Sequence, residues 1–530
     1  MLQITNLKLT PTPSLDHETE LRLLRAKVSK RLRVGVDQLL NFRITRKSID
    51  ARHAHAIFYV YTVAFTPSTQ ARIPAGTATA YADTAAYEPP APSRQSKKRP
   101  VVVGSGPAGL FAALALAEAG QRPLILERGK PVDARQADVD RFFATGELDT
   151  ESNVQFGEGG AGTFSDGKLT TGIRDPRIAK VFQTFIECGA PEEIAYDAKP
   201  HIGTDNLVSV LRTMRTKIES LGGTFLFRTR LDGLQIEQNA LRGIVVTTPT
   251  GTEEIDTDTL ILAIGHSARN TFDMLEKAGV DMRPKAFAVG VRIEHRQEDI
   301  NAAQYKTFAD SLPAADYKLA VRTKSGRGVY TFCMCPGGTV VPAASEAGRL
   351  AVNGMSRYAR DGANANAAIL VGITPADYAD FPGALGGVAF QRGLEERAFA
   401  LGGGNFRAPV QLLGDFVAGK ASQTLGRVSP NYAIGHTLCD LRECLDDFLA
   451  DELREGLLLM GAKLPGFSSH DAVLTAVESR SSSPVTILRD ETRQSNIRGI
   501  LPCGEGAGHA GGIVSSAVDG LHCAESVLVQ

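Results

Sequence analysis

The chain has 530 residues, 43% of them hydrophobic and 22% charged, with a formal net charge of −1. This composition excludes a collagen-like, low-complexity or disordered chain, and the length allows two or three domains with sizeable cores. No apolar run reaches the length of a membrane span, no basic region followed by an apolar run opens the chain, and seven scattered cysteines read as reduced thiols, so the expected location is cytoplasmic, without a membrane partner.

Residues 1–90 read as a small basic α+β domain, since residues 1–99 carry 16 Lys and Arg against 7 Asp and Glu while the remainder carries 42 against 52. A strand is expected at residues 2–10. A helix follows, capped by Asp16 or Ser14 and ending near Arg33, with Leu21, Leu24 and Val28 on one face. Residues 43–52 and 56–65 then read as paired strands. In the second, Ile57, Tyr59, Tyr61, Val63 and Phe65 alternate with smaller residues, the pattern of a core-facing stripe. Aromatic residues beside basic ones keep nucleic acid as the alternative partner, although no RNP1 pattern is present. The proline-rich, basic stretch 91–99 reads as a linker.

A buried strand is expected at Val101, Val102 and Val103, followed by GSGPAG at residues 104–109. Gly104 suits a tight turn, Gly106 a close approach of backbone to pyrophosphate, and Gly109 the packing of helix on sheet. Pro107 and Ala108 open an almost wholly apolar helix whose amino end offers free N–H groups to phosphate. A second strand ends at Glu127, followed by Arg128, where a carboxylate suits the hydroxyls of an adenosine ribose. Two further GxGxxG matches, at 157–162 and 506–511, lack this strand-turn-helix context, so no second nucleotide fold is expected. NADH or NADPH then enters only as a transient reductant.

Residues 153–172 contain six glycines, including Gly159 and Gly160, which excludes long regular structure and fits backbone wrapped around a ligand. Residues 205–264 return to α/β order. They read as a helix, a strand, a two-strand segment to Val246, and an apolar strand closing in Ala263-Ile-Gly265.

These motifs resemble the two-dinucleotide-fold flavoproteins, in which such an Ala-x-Gly turn closes a glutathione-reductase-like FAD domain. Gly504 and Glu505 are similar to that family's late strand end, and Gly511, Gly512 and Ile513 to the start of the helix aimed at the flavin pyrimidine. More narrowly, the segments ITRKSIDAR at 44–52, GEGGAGTFSDGKL at 157–169, FCMCPGG at 332–338 and HAGGIVSSAVDG at 509–520 resemble the uncharacterised FAD-dependent dehydrogenases. The resemblance implies an α/β architecture. A Rossmann-like FAD-binding domain spans 100–284 and 476–530, an α+β substrate domain is inserted at 285–475, and the small α+β domain precedes both. It also implies an FAD-dependent oxidoreductase of unassigned substrate; the alternative is an RNA-associated flavoprotein.

Candidate catalytic residues are Lys168, Cys333, Cys335 and His509. Lys168 suits a reduced flavin, a phosphate or an anionic substrate, and equally a solvated loop. Cys333 and Cys335 share a face in an ideal strand, but their spacing is CxC, and extended backbone holds such residues about 6–7 Å apart at Cα, at the limit for a disulfide. Buried structural cysteine is therefore the expected role, with a redox pair as the alternative. His509 reads as an acid or base, or as a cap before the glycine-rich turn. Arg427, Asn431, Tyr432 and His436 form a candidate polar pocket. No metal-ligand spacing is present.

Overall fold

The computed structural model describes residues 1–13, 15–53, 55–82, 87–93 and 98–529; Ser14 and the linker residues 94–97 lie outside them. The amino-terminal unit packs helix His17–Leu32 on a four-stranded sheet in which strand Leu39–Asp50 pairs antiparallel with Phe58–Pro67. Asp16 caps the helix, accepting from Thr19 N at 2.7 Å, so one orphan amide of the first turn is satisfied. Tyr59, Tyr61, Val63 and Phe65 are buried against Leu24, Val28 and Leu32. The aromatic stripe is core, with no ring face left for a base. Ile57 belongs instead to the core of the largest sheet, and the Lys47 backbone exchanges hydrogen bonds with Tyr196 and Ala198. The small unit is thereby docked on both of its neighbours.

The fingerprint strand Val101–Val103 lies in the middle of a five-stranded parallel sheet, between Leu260–Leu262 and Leu124–Glu127. Strands Ile500–Pro502 and Thr224–Phe227 form its edges. Helix Pro107–Glu118 is buried over ten consecutive residues, Ala108 to Ala117. Its apolar circumference is explained by the sheet on one side and the carboxyl-terminal helix Ile513–Leu528 on the other. The segment before Leu260 differs from expectation. It is a meander of three strands, Arg230–Glu237, Ala240–Thr248 and Gly251–Asp256, not two. The third is a polar, largely exposed edge strand, so it carries no apolar alternation by which sequence reading could find it.

Between these parallel strands the chain builds a seven-stranded mixed sheet. Its order is Ala320–Arg322, Gly328–Cys335, Asn364–Ile373, Phe287–Arg296, Val473–Glu478, Ala408–Leu412 and His436–Leu438. In the central strand Val289, Val291 and Ile293 face the main apolar core, which includes helix residues Leu453, Leu457 and Met460. The alternate residues Arg292 and Glu294 are buried as well. They lie beneath the hairpin Thr339–Pro342 and Val352–Met355, where Gly354 is required: a Cβ there would sit 1.7 Å from Arg292 Nη1. The sheet therefore has one apolar face and one buried polar face.

Candidate functional site

At the end of Val101–Val103 the chain turns at Gly104 with φ +100°, in a position where a Cβ would lie 2.2 Å from Ala263 O. Gly109 is equally constrained, since its Cβ would meet Gly104 O at 1.8 Å. These contacts bring the fingerprint turn and the Ala263–Gly265 turn together. Gly106 differs, because the nearest atom to a Cβ there is Gly160 Cα at 3.8 Å. The glycine-rich loop rests on this opening, with Gly159 N donating to Ser105 O at 2.9 Å. Pro107, Gly159, Gly162 and Ile513 line one small apolar cavity. Two helix amino ends and the glycine-rich loop thus converge, and uncapped first-turn N–H groups with their partial positive charge suit an anion.

Glu127 is buried and already accepts four protein hydrogens, from Ser105 N and Oγ on one oxygen and from Gly129 N and Gly157 N on the other. The carboxylate expected for a ribose thus ties the fingerprint turn to the glycine-rich loop. Arg128 stacks its guanidinium 3.9 Å over the Phe156 ring and pairs with Glu151 at 2.9 Å. Behind the fingerprint, the buried Arg135 guanidinium donates to the carbonyls of Asn153, Val154 and Glu158, which holds the loop in shape.

Gly504 follows the edge strand with φ +74°, and Glu505 comes within 3.3 Å of His266 Nδ1 and accepts from Gly512 N at 3.4 Å. Burial alone would raise the Glu505 carboxyl; the hydrogen bond and charge of His266 and the Gly512 amide lower it below its ordinary value. Gly511 and Gly512 have nothing within 4 Å of where a Cβ would stand, so the start of the carboxyl-terminal helix is open. His509 is not part of this opening. Its Nε2 lies 2.9 Å from Ile487 O and burial lowers its pKa, so the ring serves the backbone of a neighbouring strand.

Lys168, Cys333 and Cys335 do come together. Lys168 Nζ donates to Met334 O and lies 2.9 Å from Asp166, itself paired with Arg360 and with Ser356 Oγ. On the cysteine strand the backbone departs from the ideal extended strand expected there. Cys333 has φ +41° and the register shifts between Phe332 and Cys335, so Cys335 stands opposite Asn366. This bulge re-aims the side chains. The Cys335 thiol donates to Cys333 O at 3.3 Å, and the two thiols interact closely enough to shift one another's ionisation. That interaction and, against burial, Lys168 and Arg292 hold the Cys333 thiol well below its ordinary range, whereas the same interaction and burial drive Cys335 far above it. For Lys168, burial is outweighed by Cys335, Asp166 and Cys333, and its pKa is raised.

Sequence reading missed Arg292, Glu478, Asp166 and His266. Arg292 is fully buried, donating to Glu478 at 2.9 Å, Asn366 Oδ1 at 2.8 Å and Cys333 O at 3.1 Å. Burial, opposed by Arg292, drives the Glu478 carboxyl up to about 7. The available signal was the strand VGVRIEH, where charged residues alternate with Val and Ile in a run otherwise apolar. The proposed polar pocket does not converge. Arg427 pairs with Asp471 at the surface, Asn431 bonds Val340 N and Gly338 O, and the Tyr432 hydroxyl is spent on Phe406 O.

Residues 286–481 match a family model described as FAD-dependent protein, C-terminal domain-like, residues 99–191 one described as FAD binding domain, and residues 1–66 a domain of unknown function. An uncharacterised protein of Clostridium beijerinckii is 44% identical over 526 residues, covering 97% of each chain. Among solved structures, a variant of E. coli quinol fumarate reductase is 12% identical, with a TM-score of 0.38, over 82% of this chain and 70% of its own. A geranylgeranyl bacteriochlorophyll reductase-like protein of Thermoplasma acidophilum is 11% identical, with a TM-score of 0.36, over 81% of this chain and 78% of its own.

Proposed function

On the premise that the chain belongs to the family of FAD-dependent proteins and takes FAD as its cofactor, we propose that this oxidoreductase acts as a dehydrogenase or reductase with non-covalently held FAD. One observation carries the reading: the fingerprint turn, the Ala263–Gly265 turn and the Gly504–Gly512 segment meet, with open space where side chains at Gly511 and Gly512 would stand and only Gly160 Cα, at 3.8 Å, near a Cβ at Gly106. That opening and the two free helix ends fit a diphosphate and a flavin ring. Bound there, a flavin supplies two-electron hydride chemistry. The chain's own part is electrostatic. The amides at the start of Ile513–Leu528 favour negative charge on a ring beside them, Glu505 fixes Gly512 and His266, and Glu127 holds the glycine-rich loop over the phosphate site.

The test is to release the cofactor by heat and identify it by mass and chromatography, with anaerobic addition of NADH and NADPH as the second readout. FAD, bleached by an added hydride donor, is expected. Release of FMN, or a protein that stays colourless in excess FAD, would overturn the reading. Gly106→Val fills the opening beneath Gly160, so it should fold with an unchanged circular dichroism spectrum and retain no FAD.

A further inference from the structure

The two thiols on the bulged strand stand in an asymmetric site. Cys333 is partly exposed, next to Phe332, which is 46% exposed, while Cys335 is fully buried. The charged groups facing the pair are Lys168 and Asp166 from the glycine-rich loop, Arg292 and Glu478 from neighbouring strands, and Arg360 beyond the hairpin. Both carboxylates are held by cations, Asp166 by Lys168 and Arg360 and Glu478 by Arg292, and among the described residues Tyr317 is a further titratable neighbour of Cys335. The local field therefore favours one negative charge on sulfur. A partly exposed cysteine carrying that charge, with a second, buried thiol beside it that donates to its carbonyl at 3.3 Å, is the arrangement required for attack followed by resolution.

We infer that Cys333 and Cys335 form a reversible dithiol–disulfide pair, Cys333 attacking and Cys335 resolving, and that the substrate class of this site is a small disulfide and its thiols. In the forward step the Cys333 thiolate attacks one sulfur of an external disulfide. The external S–S bond breaks and one thiolate leaves. Cys335 then gives up its proton and attacks the Cys333 sulfur, the Cys333–Cys335 bond forms, and the second external sulfur leaves. The Cys335 proton ends on one of the two released sulfurs. The pair loses two electrons and the external disulfide gains them. Lys168 and Arg292 are positioning residues that hold the charge on Cys333. The thiol chemistry stands on the chain alone and goes beyond the flavin reading.

The experiment uses the full-length protein as purified, with oxidised glutathione as the probe. After anaerobic incubation and alkylation, peptide mapping should show Cys333 and Cys335 protected and the other five cysteines unchanged, with both regained after dithiothreitol. Cys335→Ser should accumulate a single glutathione on Cys333, and Cys333→Ser should form neither adduct nor disulfide. Wild-type thiols that both remain alkylatable, or a Cys335→Ser protein without an adduct at Cys333, would overturn the pair. Cofactor release on the same sample separates the two readings. FAD present with inert thiols sinks the pair alone, whereas exchanging thiols without FAD sink the flavoenzyme reading alone.

Discussion

Two pairs of cysteines among the described residues lie near enough to shift each other's ionisation, and they differ in exposure and in the charges around them. Cys503 and Cys523 are both fully buried, one at the end of the parallel sheet and the other on the carboxyl-terminal helix, within 4.8 Å of Asp519. Asp519 is already filled, by Arg489 at 2.7 Å, Arg493 at 2.9 Å and Gly504 N at 2.8 Å, which leaves a metal ion little to bind. The bond to Cys523 and burial push the Cys503 thiol far above its ordinary value. One guanidinium, Arg489, reaches Cys523 Sγ at 3.8 Å, whereas two cations, Lys168 and Arg292, act on Cys333 and Cys335, and Cys333 is partly exposed. Proximity alone does not make a redox pair; local charge and access decide which sulfur ionises.

The most disruptive way to break this contrast is Arg292→Leu. It removes three hydrogen bonds and leaves Glu478 buried without its cation, so about 3–5 kcal/mol of stability at pH 8 should be lost in urea unfolding. A loss under about 1 kcal/mol would mean the polar face is not held together by this pair. Next in size is native alkylation at pH 7. Iodoacetamide should label Cys333 roughly 100-fold faster than Cys503 or Cys523, and equal labelling would erase the distinction between the pairs.

Glu294 offers a pH test on the same face as Cys335. Burial drives its carboxyl up to about 7, against hydrogen bonds from Asn364 Nδ2 and Asn431 N, and Oε2 has no partner among the described residues. A carboxyl raised above its unfolded value contributes stability that is present below about pH 4.3 and lost as pH rises through 7. Glu294→Gln keeps both hydrogen bonds at Oε1 and cannot ionise. It should match wild type at pH 4 and exceed it by about 3–4 kcal/mol at pH 8. Equal stability at both pH values would show that the face is not dry. The smallest expected effect belongs to Lys168→Gln, which should move the pH midpoint of Cys333 alkylation up by about one unit without changing FAD content. A midpoint that stays where it was would assign the low thiol pKa to Arg292 and Cys335 alone.

Local spacing by itself determined a large part of this protein. Three valines, a glycine turn and an apolar helix specify a parallel strand entering a nucleotide fold, because period, turn conformation and helix start are properties of adjacent residues. The hairpin of Leu39–Asp50 and Phe58–Pro67 was legible for the same reason, and Ala263–Gly265 and Gly504–Gly512 were legible by resemblance. Tertiary structure decided the rest. Arg292 meets Glu478 across 186 residues and Lys168 meets Met334 across 166, and no periodicity records such meetings. An ideal extended strand holds Cys333 and Cys335 on one face about 6–7 Å apart at Cα, and a single residue at φ +41° with a register shift re-aims their side chains. A bulge is set by what the strand must fit on its two neighbours, so the charge and contact that make these sulfurs reactive exist only once the sheet is assembled.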